Sequence, residues 1–171
     1  WKLFGTPRKP IPQTTVVRGS TPRFLLAEDS LLPSGIQYLP VDYDQAVILW
    51  RGGPAIVSLT ASTGTVETNT QQVAYLITAI PNNQSEIEIR LLRHDIGWRI
   101  QFAKNPPLPS GLTEPDQNAI AERVIRAVWI LTEGPLEWRI FALTELAKLA
   151  KQGYFSAEQL WLAALSGELT G

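Results

Sequence analysis

The sequence predicts an α+β domain in which an antiparallel β-meander sheet, over about residues 23–103, is covered by three C-terminal helices at about 113–133, 135–152 and 156–167. Turn-forming residues punctuate 23–103 at the short spacing of consecutive strands. Apolar and polar residues alternate strictly at 87–91 and 98–102, the period of a half-buried strand. Beyond Pro106, Pro107 and Pro109 the apolar spacing becomes that of a helix.

Residues 1–22 form a basic, Pro-rich arm ahead of a single domain at 23–171. Lys2, Arg8, Lys9, Arg18 and Arg23 precede the first acid, Glu28, and Pro7, Pro10, Pro12 and Pro22 lie among them. Proline lacks a ladder donor and holds an extended φ, so 5–13 reads as linker, with a short strand at 14–17. Pro7 and Pro10 also have the spacing of a polyproline II ligand. The chain begins at Trp1 and contains no Met, which raises the expectation that a targeting or anchoring segment preceded it. Trp1, Lys2 and Phe4 followed by Arg8 and Lys9 would suit the cytoplasmic side of a membrane helix. An ordinary solvated linker is the competing reading.

Short strands are expected at 23–27 and 36–39 around a turn at 29–35. The apolar run at 46–50 suggests a strand covered on both faces. Arg51-Gly52-Gly53-Pro54 is expected to turn it into a hairpin with 55–62. Residues 66–68 extend that pairing, and 73–80 form a strand that stops at Pro81-Asn82-Asn83. Ile87, Ile89 and Leu91, then Trp98, Ile100 and Phe102, mark two half-buried strands joined by the short His94-Asp95-Ile96-Gly97 connector. Antiparallel pairing with one apolar face follows.

Thr113, Pro115 and Asp116 resemble a capped start for the first helix. Ile120, Val124, Ala127, Val128 and Leu131 line one side of it and Ile125 and Trp129 widen the stripe, so this helix is expected to be the most buried. Gly134-Pro135 ends it and starts the second. That helix carries Leu143, Leu146 and Leu149 on one face, places Lys148 and Lys151 in its last turn where cations suit the helix dipole, and stops at Gly153. Ser156 and Gln159 have the spacing of a reciprocal cap on the third helix, which carries Leu160, Trp161 and Leu165.

Leucines on a short helix, a Gly turn and then Phe155-Ser156-Ala157-Glu158-Gln159-Leu160 make residues 143–165 resemble the SHOCT short C-terminal helical module. The acidic pair that usually precedes the aromatic is absent. The resemblance implies oligomerisation or attachment rather than chemistry.

With no Cys and His94 as the single histidine, thiol catalysis, Cys-based metal sites and multi-His metal centres are excluded, and no cofactor is expected. No apolar stretch approaches the length of a membrane span, so the chain as given is expected to be soluble. It would also suit the cytoplasmic-side domain of a membrane-anchored protein. The net charge of −1 and the lack of a recognised motif argue against nucleic acid. Arg51-Gly52-Gly53-Pro54 lacks the spacing of a phosphate-binding loop, and His94 beside Asp95 lacks a nucleophile. Asp42 and Asp44 lack a third ligand, and Glu86 and Glu88 share a polar strand face with Arg90.

Six Trp and only 18% charged residues favour a protein that gives surface to a partner. The expected function is a non-enzymatic protein-interaction domain, an assembly factor or accessory subunit, docking through Trp1, Arg8, Lys9, Trp50, Trp138 and Trp161. One rival is a ligand-binding domain or enzyme with a pocket between sheet and helices lined by Tyr38, Tyr43, Tyr75 or Trp98. A second is a structural domain that homo-oligomerises through its last two helices.

Overall fold

The computed structural model describes residues 32–167 apart from 72, 82, 83 and 104. The expected arm at 1–22 and the strands at 14–17 and 23–27 lie outside the described residues. Seven strands come first: β1 (Gly35–Pro40), β2 (Gln45–Leu49), β3 (Ile56–Ala61), β4 (Gly64–Asn69), β5 (Tyr75–Ala79), β6 (Glu86–Leu91) and β7 (Ile96–Ala103). The helices α1 (Ile120–Thr132), α2 (Arg139–Lys151) and α3 (Phe155–Ser166) follow, with a 3-10 turn at Leu136–Trp138 before α2. The class is α+β.

The strands form a five-stranded sheet in the order β1-β7-β6-β3-β4 and a two-stranded sheet, β2-β5. All pairs are antiparallel except β1 with β7. Ile89 lies opposite both Trp98 and Leu59, and Leu59 lies opposite Val66, so the alternation seen in the sequence becomes one continuous apolar face. Ile87, Ile89, Leu91, Trp98 and Ile100 on that face are fully buried. The other face is solvated and charge-balanced, with Glu86 on Arg99 at 3.0 Å and Glu88 on Arg90 at 3.6 Å.

The β3–β4 and β6–β7 hairpins form as the sequence indicates, but the hairpin expected between 46–50 and 55–62 does not. β2 pairs with β5 instead, Val47 opposite Ile77, while β3 joins the other sheet. Gly52 and Gly53 adopt φ of 112° and 86°, and with Pro54 they carry the chain from one sheet to the other. Turn residues mark a reversal of direction without stating which strand lies beyond it.

The first helix starts at Ile120 rather than near Thr113. Asp116 accepts from the backbone N–H of Asn118 and of Ala119, making a local turn instead of a cap. Glu114 also bonds to Arg126 at 2.9 Å, twelve residues ahead. A continuous helix would hold residues twelve apart about 18 Å from one another, so this ion pair requires the segment to fold back. Ser156 does not cap the third helix, which starts one residue earlier and has no side-chain cap bond. Gly153 does end α2: its φ of 97° lets its N–H reach the Ala150 carbonyl and the Tyr154 N–H reach that of Leu149, a Schellman closure.

The most buried helix is α2, not α1. Every residue from Ile140 to Leu146 is buried, and Leu149 with them. The sequence of α2 carries apolar residues nearly all round, as a helix packed on every side does. It contacts α1, α3, β1 and β2. Each fully buried Leu, Ile or Phe contributes about 1.5–3 kcal/mol. Two polar side chains fix its position. Gln37 on β1 accepts from the Ile140 N–H at 2.9 Å and donates to the Leu136 carbonyl at 2.8 Å, capping the helix from the sheet. The Thr144 hydroxyl accepts from the Val47 N–H at 3.0 Å and donates to the Ile140 carbonyl at 2.7 Å, tying α2 to the small sheet.

Thr144→Val keeps the shape and leaves the buried Val47 N–H without its acceptor. Chemical denaturation should show a loss of about 1–3 kcal/mol, whereas Thr144→Ser, which keeps the hydroxyl, should recover most of it.

Candidate functional site

Three of the six residues expected to dock a partner, Trp1, Arg8 and Lys9, lie outside the described residues. Trp50 is 4% exposed and its indole N–H donates to the Gly53 carbonyl at 2.6 Å. Trp138 is 8% exposed and packs between Tyr38 and Phe141, with ring centroids 5.6 and 5.7 Å away. Trp161 is half-buried and meets Tyr75 edge-on at 5.7 Å. Each tryptophan is held by a different part of the fold. The aromatic residues named for a sheet–helix pocket fill that space: Tyr38 and Tyr75 pack on Trp138 and Trp161, Tyr43 packs on Phe141 at 5.6 Å, and Trp98 is in the core.

A charged cluster lies where α1 meets α2. The Glu145 carboxylate is 3% exposed and receives Arg123 through Nη2 at 2.8 Å and Nε at 3.2 Å. Arg123 also donates to the Gln117 carbonyl at 3.0 Å. Arg126, 5.1 Å from the Phe141 ring centroid, lies 3.8 Å from Glu145 and completes its pairing on Glu114. Tyr43 lies close enough to this cluster for Glu145 to shift its phenol, and the Lys148 ammonium sits 4.3 Å above the Tyr43 ring. A forked Arg–carboxylate pair out of water is strong and directional. Here it aligns two helices, and the neighbouring cations neutralise the carboxylate.

Burial first, then the charge of Glu145 and the bond to it, raise the Tyr43 phenol well above its ordinary 10.0. The folded protein therefore holds Tyr43 neutral where the unfolded chain would ionise it. That contribution is complete below the ordinary phenol value and is lost as pH rises above it.

An open apolar groove of about 310 Å³ lies between the two sheets. Val57, Leu59, Val66 and Thr68 line it from β3 and β4, and Leu76 and Thr78 from β5. The core elements cover the sheet along β7 and β6 but leave its apolar face open toward β4, where Val66 is 65% exposed. β4 ends the large sheet and β5 ends the small one, so among the described residues neither has a further strand beside it. All six β4 residues are exposed. Edge strands are commonly guarded by charged side chains, above all Lys, by Pro or by a bulge; Gly64-Thr65-Val66-Glu67-Thr68-Asn69 contains neither Lys nor Pro, and its one charge, Glu67, alternates with the groove-lining Val66 and Thr68. The lack of Lys and Pro is the sequence signal that would have pointed to this edge.

Comparison with family models, with curated proteins and with solved structures finds no match to the chain. Among the described residues, no helix is long and apolar enough to cross a membrane.

At neutral pH, Tyr43→Phe should be less stable than the native chain through loss of the neutral phenol's interaction with Glu145. Urea denaturation from about pH 8 to about pH 11 should show the difference narrowing as pH rises, because only the native chain loses the phenol's contribution. A gap that stays constant or widens contradicts the assignment.

Proposed function

We propose that this chain is a non-enzymatic protein-interaction domain, an accessory or assembly subunit, and that the groove between β4 and β5 receives an extended segment of its partner. The observation that carries this reading is the coincidence of an exposed edge strand, without Lys or Pro, with an apolar groove. A strand added to β4 would bond through its main chain, and its alternate side chains would enter the groove beside Val66 and Thr68, the strand-addition mode of peptide recognition. Its fitting occupant has β-branched or apolar residues at every second position. The SHOCT resemblance of residues 143–165 implies a role of the same class.

Selection of peptides from a displayed random library against the whole chain, followed by affinity measurement, tests this. The selected peptides should share apolar–polar alternation. Val66→Lys should weaken them at least tenfold while leaving the melting temperature nearly unchanged, since Val66 is largely exposed. An empty selection, or peptides indifferent to Val66→Lys, would remove the groove from the account.

A further inference from the structure

At one end of the large sheet, where β3 begins and β4 and β6 end, the surface holds a second depression of about 570 Å³. Asn69, Gln71, Arg93 and His94 line it beside the backbone of Ala55 and Ile56. Two features set it apart. Gln71 and Arg93, with φ of 60° and 70°, are the non-glycine residues in the left-handed region among the described residues, and both belong to this rim. Arg93 occupies the third position of a turn closed by the His94 N–H on the Leu91 carbonyl, where glycine would sit without strain. Strained residues of this kind gather at ligand sites, where the surrounding fold holds them against their preference.

The second feature is the donor set. Asn69 Oδ1 accepts from the Gln71 N–H at 3.0 Å, which commits the amide oxygen to the loop and leaves the amide nitrogen as its free donor. Among the described residues, Arg93 has no ion pair and the His94 ring has no hydrogen bond. No Asp or Glu lines the depression; Asp95, next to His94 in the chain, is exposed and not part of the lining. The lining therefore carries a guanidinium, an imidazole and two carboxamides and no carboxylate, in a chain whose net charge is −1.

We propose that this depression binds the phosphate group of a phosphate monoester, with the Arg93 guanidinium as its main anchor and His94, Asn69 and Gln71 as further donors. A planar guanidinium suits a tetrahedral oxyanion because two N–H groups reach two oxygens together. The volume exceeds what a bare phosphate fills and leaves room for the group that carries it. Apart from the His94 imidazole, used here as a donor, the lining holds no Phe, Tyr or Trp face for a base to stack on, so a sugar or a short side chain is the fitting complement. This site is separate from the β4–β5 groove, and its test does not depend on peptide binding there.

Titration calorimetry of the whole chain with inorganic phosphate, ribose 5-phosphate and a phosphoserine peptide, at constant ionic strength, tests the proposal. Saturable binding of ribose 5-phosphate or of the phosphopeptide, tighter than that of inorganic phosphate, is expected, and which of the two binds tighter identifies the source of the ester. Arg93→Gly should weaken binding at least tenfold with an unchanged or higher melting temperature, because glycine adopts this φ freely. His94→Ala should weaken it by a smaller factor, and Arg93→Lys should retain part of it. Absence of saturable binding by any probe, or affinity unchanged in Arg93→Gly, would overturn the assignment.

Discussion

The stretch of α2 from Ile140 to Leu146 is wholly buried, so its polar groups must find partners within the protein, and the fold is organised around supplying them. Gln37 caps its first turn from β1, Thr144 joins its middle to β2, and Glu145 joins it to α1 through Arg123 and Arg126. Each bond leads to a different neighbour. Ile140, Phe141, Leu143, Leu146 and Leu149 are all fully buried, but burial is non-directional. The polar contacts are what select one rotation and one height for the helix among the two sheets and the two flanking helices.

Much of the large sheet was legible in the sequence because its alternation is local. The β6–β7 pairing follows from Ile87 to Phe102 alone, with Ile87 opposite Ile100 as the alternation requires. The small sheet was not legible for an equally physical reason. After Gln45 the residues of β2 are all apolar, which indicates cover on both faces but carries no information about which strand lies beside it. Gly52, Gly53 and Pro54 are as suited to leaving a sheet as to closing a hairpin. The parallel placement of β1 beside β7 depends on pairing Gly35 with Trp98 and its successors, beyond the reach of any local pattern.

The helices show the same division. Gly153 acts where the sequence places it, because a left-handed terminus is a local requirement. Thr113 and Asp116 have the spacing of a cap, yet Glu114 is drawn to Arg126 and the segment folds back. Neither that ion pair nor the Arg123–Glu145 fork carries a local signature. Among the tryptophans, aromatic content pointed toward surface, whereas Trp50 and Trp138 complete the interior. Val66 and Ile77, on the strands beside the groove, are among the exposed apolar residues, and their types alone raise no expectation of recognition.

The cap on α2 comes from a residue 103 positions away. The closing turn of the helix is local, but its opening turn is completed only after β1 has taken its place. The C-terminal helices are thus not a cassette. Excised and grafted elsewhere, they would carry an uncapped first turn, a threonine without its strand and a hydrophobic surface facing water in all directions. The workable unit of dissection for this chain is the strands together with the helices, and a boundary drawn between Ala103 and Ile120, though the composition invites it, would divide one cooperative structure into two incomplete ones.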